Sequence, residues 1–140
     1  LAPPSQKLLN LYDINLEEWL EKTKSEIGAY TDREVVVRLK QGRSVRQTTD
    51  TMQMALADDV FCLVTFSSIA AGEALLCGKP AITLGPNAAA PLCSHTVAEI
   101  ENPKIPTLDE VEAWARHLSY CQFTEAEMRD GTAWRILNDC

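Results

Sequence analysis

The sequence predicts a three-layer α/β domain on a mostly parallel sheet, and three observations predict it. Helix-like and strand-like segments alternate with short connections, which is the pattern of βαβ units. Residues 34–39 carry the continuous β-branched string Val35-Val36-Val37, and residues 60–65 (VFCLVT) are a nearly unbroken apolar run, as in strands buried on both faces. Residues 68–77 (SIAAGEALLC) read as a helix stopped by Gly78, and residues 80–84 (PAITL) as the strand that completes one right-handed crossover.

The remaining elements follow in chain order. Asn15 caps a helix with Glu18 three residues on, and Leu16, Trp19, Leu20 and Ile27 share one face up to Gly28. The run 34–39 is expected at the centre of the sheet. A helical stretch over residues 49–57 precedes Asp58-Asp59 and the next strand. Residues 85–106, rich in Pro, Ala and Asn, are loop with a short strand at 97–100. Thr107 with Glu110, and Thr124 with Glu127, are capping boxes opening two helices, the second interrupted by Gly131. These helices are expected as a C-terminal cover on a single domain spanning all 140 residues.

Composition narrows the function. A net charge of −7 opposes broad attraction to nucleic acid or anionic lipid, so any anion site has to be local. The concentrated cations are Arg38, Lys40, Arg43 and Arg46, either a focused positive patch or a solvated loop end. No run of apolar residues reaches the length of a membrane span, and Leu1 to Ser5 carries no signal-peptide pattern. Five cysteines without a CxxC pair or Cys/His ligand spacing imply reduced thiols in the cytoplasm, mostly filling the core, and no metal site. His95 is a weak acid/base candidate beside a plain structural role, His117 reads as a surface residue, and neither has a partner of the right type at catalytic or metal spacing.

Ligands of open parallel sheets bind beyond the carboxyl ends of the strands. That rim would carry Ser5 after a first strand, Lys40 and Arg43 after the second, Phe66, Ser67 and Ser68 after the third, and Gly85, Pro86 and Asn87 after the fourth. The strongest of these is the turn at Ser67 and Ser68. It leads from a buried strand into a helix, where free amides and the helix dipole favour a phosphate. Ser68 acting only as a helix cap is the plain alternative. Glu73, in an otherwise apolar helix, either points to solvent or accepts hydrogen bonds from sugar hydroxyls. Gly85 and Asn87 read equally well as a tight turn. The chain has no GxGxxG, GxxxxGK[ST] or GxSxG motif.

The string FSSIAAGEALLCGKPAITLGPNAA, with its Ser-x-x-x-x-Glu-Ala-Leu-x-x-Gly-Lys-Pro core, resembles the donor-binding segment of GT-B glycosyltransferases. Together with APPS, VVRLK, GRSVRQ and the C-terminal LSYCQFTEAEMRDGTAWRIL, it is similar to phage and bacterial proteins of the surface-polysaccharide type. The resemblance implies a Rossmann-like domain that binds a nucleoside-diphosphate sugar or CMP-sugar, with no cofactor or metal required. It implies that Ser67 and Ser68 hold the phosphates, that Glu73 binds ribose or sugar hydroxyls, and that Lys40 and Arg43 assist. GT-B enzymes carry the acceptor, and usually the catalytic base, on a separate N-terminal half. The chain is therefore expected as a C-terminal half that binds the donor, by pairing with that half or with itself, and no catalytic residue is assigned. A non-catalytic binding or assembly domain and one half of a nucleotide-sugar epimerase stay open beside it.

Overall fold

The computed structural model describes residues 1–39, 55–56 and 59–138. The chain forms two compact units, Leu1–Pro106 and Thr107–Cys140. The architecture is α/β: a small parallel sheet with six α-helices among the described residues.

In the first unit, α1 (Gln6–Tyr12) and α2 (Leu16–Gly28) precede β1 (Leu63–Thr65), α3 (Ala70–Leu76) and β2 (Ala81–Thr83). Asn15 caps α2 as expected, its side chain accepting from the amides of Glu17 and Glu18. α1 was not anticipated. Ser5 stands at its N-cap, and the Ser5 carbonyl, not the hydroxyl, takes the first amides, those of Leu8 and Leu9.

β1 and β2 pair in parallel with Leu63 opposite Ala81 and Thr65 opposite Thr83. Single parallel bridges extend the pairing on both sides, Ala2 to Thr65 and Ile82 to Ser94. Beyond Ala2, the Leu1 amine donates to the Val36 carbonyl at 2.7 Å and the Arg38 amide donates to the Leu1 carbonyl at 3.0 Å. One residue bonded to the two that flank its neighbour is the parallel pattern. Five extended pieces thus lie side by side, in the spatial order residues 36–38, 1–2, 63–65, 81–83 and 94.

Two expectations are corrected here, and a third falls mostly outside the described residues. The Val35-Val36-Val37 run is not a central strand buried on both faces, because Val36 is 67% exposed and the described bonding of this piece runs to Leu1. A β-branched run satisfies an outer row as well as an inner one, and burial depends on what covers it. The strand expected at 97–100 is a 3-10 turn, Val97–Glu99, in which the Thr96 hydroxyl accepts from the Ala98 amide. Val97 and Ile100 stand three apart, which puts both on one face of such a turn, and both are buried. Most of the helical stretch expected at 49–57 lies outside the described residues, although Ala55 is helical.

The core gathers Ile27 of α2, Val64 and Ile82 at the centres of the two strands, and Val97 and Ile100. Strand side chains alternate between faces, so Leu63, Thr65, Ala81 and Thr83 point the other way. α3 packs against both strands with Ala70, Ala71, Ala74 and Leu75 buried. The small residues allow close approach of helix to sheet. α3 stops where expected. Gly78 takes φ +70°, its amide bonds to the Leu75 carbonyl, and the Lys79 amide bonds to the Ala74 carbonyl, forming a Schellman motif.

In the second unit, α4 (Leu108–Tyr120), α5 (Glu125–Arg129) and α6 (Thr132–Asn138) begin as the sequence implies. Both capping boxes are complete, with Thr107 and Glu110, and Thr124 and Glu127, exchanging hydrogen bonds in each direction. Gly131 at φ +81° separates α5 from α6. No described helix is long and apolar enough to cross a membrane.

Candidate functional site at the carboxyl rim of the sheet

Parallel rows send all their carboxyl ends to one rim. Ser5, the loop 66–68, the loop 84–87 and His95 each follow one of the paired rows there. Threonines occupy the last rung of both strands, each buried and each tying two rows. The Thr65 hydroxyl donates to the Ala2 carbonyl at 2.7 Å and receives the Ser68 amide at 3.4 Å. The Thr83 hydroxyl contacts His95 Nδ1 at 3.4 Å.

The loops beyond these threonines are bound to one another. Leu84 and Gly85 continue the ladder through their amides to the carbonyls of Thr65 and Phe66. Asn87 donates to the Ser68 carbonyl at 2.9 Å and accepts from the Ala89 amide at 2.9 Å, so its side chain braces the two loops. Pro86 is exposed. Gly85 serves a close approach: a Cβ there would stand 2.8 Å from the Phe66 ring. That ring meets Tyr12 of α1 edge-on at 5.5 Å between centroids. Phe66 is therefore a packing residue that ties α1 to both loops.

The helix start differs from its expected form. α3 begins at Ala70, with Ile69 in the cap position and no side-chain cap bond, so it is only seven residues long. The Ser68 hydroxyl accepts from the Ala70 amide at 3.3 Å, and the Ser68 carbonyl takes the Ala71 amide. Two donors expected to face an anion are thus engaged within the turn, although Ser68 does not itself hold the cap position. Ser68 keeps its own hydroxyl proton to donate. Ser67 is different: its Oγ is buried and has no hydrogen-bond partner among the described residues. Glu73 is exposed in the first turn of α3. Ser5, Ser67, Ser68 and the loop 85–87 come to one rim, whereas Lys40 and Arg43 lie outside the described residues.

A cavity lies elsewhere in the first unit. About 740 Å³ in volume, it is walled by Leu1, Ile27, residues 33–38 and residues 59–64, with none of the rim residues. At its edge Arg33 stacks on Phe61 at 3.8 Å and pairs with Glu101 through two hydrogen bonds of 3.1 and 3.2 Å. Hydrogen bonds from Thr31 and Arg33 hold the Glu101 carboxyl below its ordinary range. Arg33 is thus engaged both in stacking and in an ion pair.

The thiols spread over several environments. Cys93 is buried, Cys62 and Cys77 are half-buried, with Cys62 packed against the core, and Cys121 is exposed. Burial pushes the Cys62 thiol up to about 12 and the Cys93 thiol up to about 11. His117 is exposed, as expected, and Cys121 Sγ lies 3.7 Å from its Nε2. The i, i+4 spacing on α4 carried that signal in the sequence. No group of three His, Cys, Asp or Glu suited to a metal occurs among the described residues. Comparison with protein families, with curated proteins and with solved structures finds no match to this chain.

Proposed function

We propose that the first unit is a Rossmann-like, doubly wound αβα domain that binds a nucleotide sugar at its carboxyl rim. In this reading it is the donor-binding half of a cytoplasmic GT-B-type glycosyltransferase acting in surface-glycan synthesis. One observation carries the reading, the order of the paired rows. Taken in chain order, the rows stand 2-1-3-4-5 across the sheet. The chain leaves the first row toward one edge and the third toward the other, so the loops after them diverge. Ligands of doubly wound sheets bind in that crevice. Ser5 follows one of these two rows, and Ser67 and Ser68 the other.

The chemistry suits a phosphate-bearing ligand. A buried hydroxyl without a partner costs roughly 1–3 kcal/mol, and a χ1 rotation of Ser67 would deliver its proton to a phosphoryl oxygen. Ser68 offers a second donor, and Glu73 an acceptor for ribose or sugar hydroxyls. Lys40 and Arg43 follow the second row in sequence and would supply the positive charge that the described rim lacks. The sugar and the nucleoside rest on the resemblance of the Ser-x-x-x-x-Glu-Ala-Leu string. Transfer requires a partner half bearing the acceptor; in its absence the domain binds without turnover.

A thermal-shift panel of UDP-, GDP- and CMP-linked sugars tests this. Ligand at a hundredfold excess over Kd stabilises by about 2.7 kcal/mol. One nucleotide class should therefore raise Tm by several degrees. Ser68→Trp should abolish the rise and Glu73→Ala weaken it. Ser67→Ala should weaken binding while leaving the free protein as stable as before, or up to about 1 kcal/mol more stable, because it removes an unsatisfied group. A flat panel favours the assembly reading, which draws on the second unit: Leu108, Tyr120 and Trp134 are 72%, 82% and 72% exposed.

A further inference from the structure

We propose that His95 is a ligand-binding residue of the same rim, its ring oriented by Thr83 so that Nε2–H donates to a phosphoryl oxygen. The inference deepens the nucleotide-sugar reading and rests on it.

His95 directly follows Ser94, the residue bridged to Ile82, so it leaves the sheet at the same rim as the loops after β1 and β2. Thr83, at the last rung of β2, is 2% exposed. Its hydroxyl proton needs an acceptor, and His95 Nδ1 at 3.4 Å is the one recorded for its side chain among the described residues. A ring that accepts at Nδ1 carries its proton on Nε2. His95 is itself exposed, and no bond to its Nε2 is recorded among the described residues, so that donor is presented at the surface. Neighbouring rows stand about 4.8 Å apart, so roughly 10 Å, two spacings, separates the row ending at Thr65 from the one ending at Ser94. Asn87 braces the ground between them. A ligand seated at Ser67 and Ser68 and lying along the rim would meet His95 with its distal phosphate.

Nitrogen-15 NMR of the histidine ring tests the first half without any ligand. The free protein should show the Nε2–H tautomer, Thr83→Val should lose that preference, and Thr83→Ser should restore it. A Nδ1–H ring in the unaltered protein would overturn the proposal. Titration with UDP tests the second half. His95→Ala should weaken UDP about tenfold, the loss of one hydrogen bond to a charged group. Thr83→Val should weaken it several-fold, and Thr83→Ser should recover most of the affinity. UDP bound equally well by His95→Ala but lost in Ser68→Trp would overturn this proposal and leave the nucleotide-sugar reading standing. A protein that binds no UDP, GDP or CMP would overturn both.

Discussion

Gly85 shows how a single side chain organises the rim. Its amide bonds to the Phe66 carbonyl, its missing Cβ leaves room for the Phe66 ring, and Tyr12 meets that ring edge-on. The ring cannot retreat without giving up the aromatic contact. Gly85→Ala should therefore destabilise by about 1–3 kcal/mol, the cost of forcing atoms into a filled space. A urea midpoint unchanged from the parent protein would show that the ring yields freely. Sequence reasoning offered Gly85 as a rim residue or as part of a tight turn, and neither reading gives the cause of its close approach to Phe66. The cause is a ring nineteen residues earlier in the chain, and no local pattern announces it. Ser67 is similar: its residue type and place were legible, but the isolation of its hydroxyl depends on atoms brought in from other segments.

At the scale of elements, the best-read features are those closed within a few residues. The caps at Asn15, Thr107 and Thr124 and the stop at Gly78 all form as the sequence implies. Each is a hydrogen-bond closure spanning five residues or fewer, so the chain carries it wherever the element packs. Gly78→Ala should cost about 1 kcal/mol, since a Cβ disfavours the left-handed backbone the Schellman motif needs. Equilibrium unfolding by circular dichroism measures it, and a neutral result would mean that α3 can end another way. The misread elements are those whose pattern fits two structures. Residues 97–100 are apolar at both ends, which suits a strand or a 3-10 turn, and the Thr96 hydroxyl decides in favour of the turn. Residues 34–39 have the composition of a buried strand, yet Val36 faces outward.

Across the whole molecule, charge and burial set the stability profile with pH. The carboxyls of Glu101, Glu127 and Asp130 are held below their ordinary range by hydrogen bonds from Thr31 and Arg33, from Thr124, and from Thr132. Groups lowered in the folded state contribute stability above their unfolded pKa, and that contribution is lost as pH falls through the folded value. The thiols act in the opposite sense. Cys62 and Cys93 are raised from 9.0 to about 12 and about 11, so their contribution is complete below pH 9 and is lost as pH climbs through that interval. Tm should therefore fall at both extremes. Cys62→Ser together with Cys93→Ser should flatten the alkaline fall; an unchanged alkaline limb would exclude the thiols as its source.

Residue order by itself determined the caps and stops and the alternation of helices and strands around them, because each is written in neighbouring residues. Tertiary structure alone decided the lateral order of the rows, the exposure of Val36, the two separate units, the spending of Asn87 and Arg33 on bracing, and the pairing of Thr83 with His95. These depend on contacts between residues distant along the chain. Such contacts form only when burying apolar side chains outweighs the entropy of closing the loops between them, a balance struck over the whole molecule and recorded in no single segment.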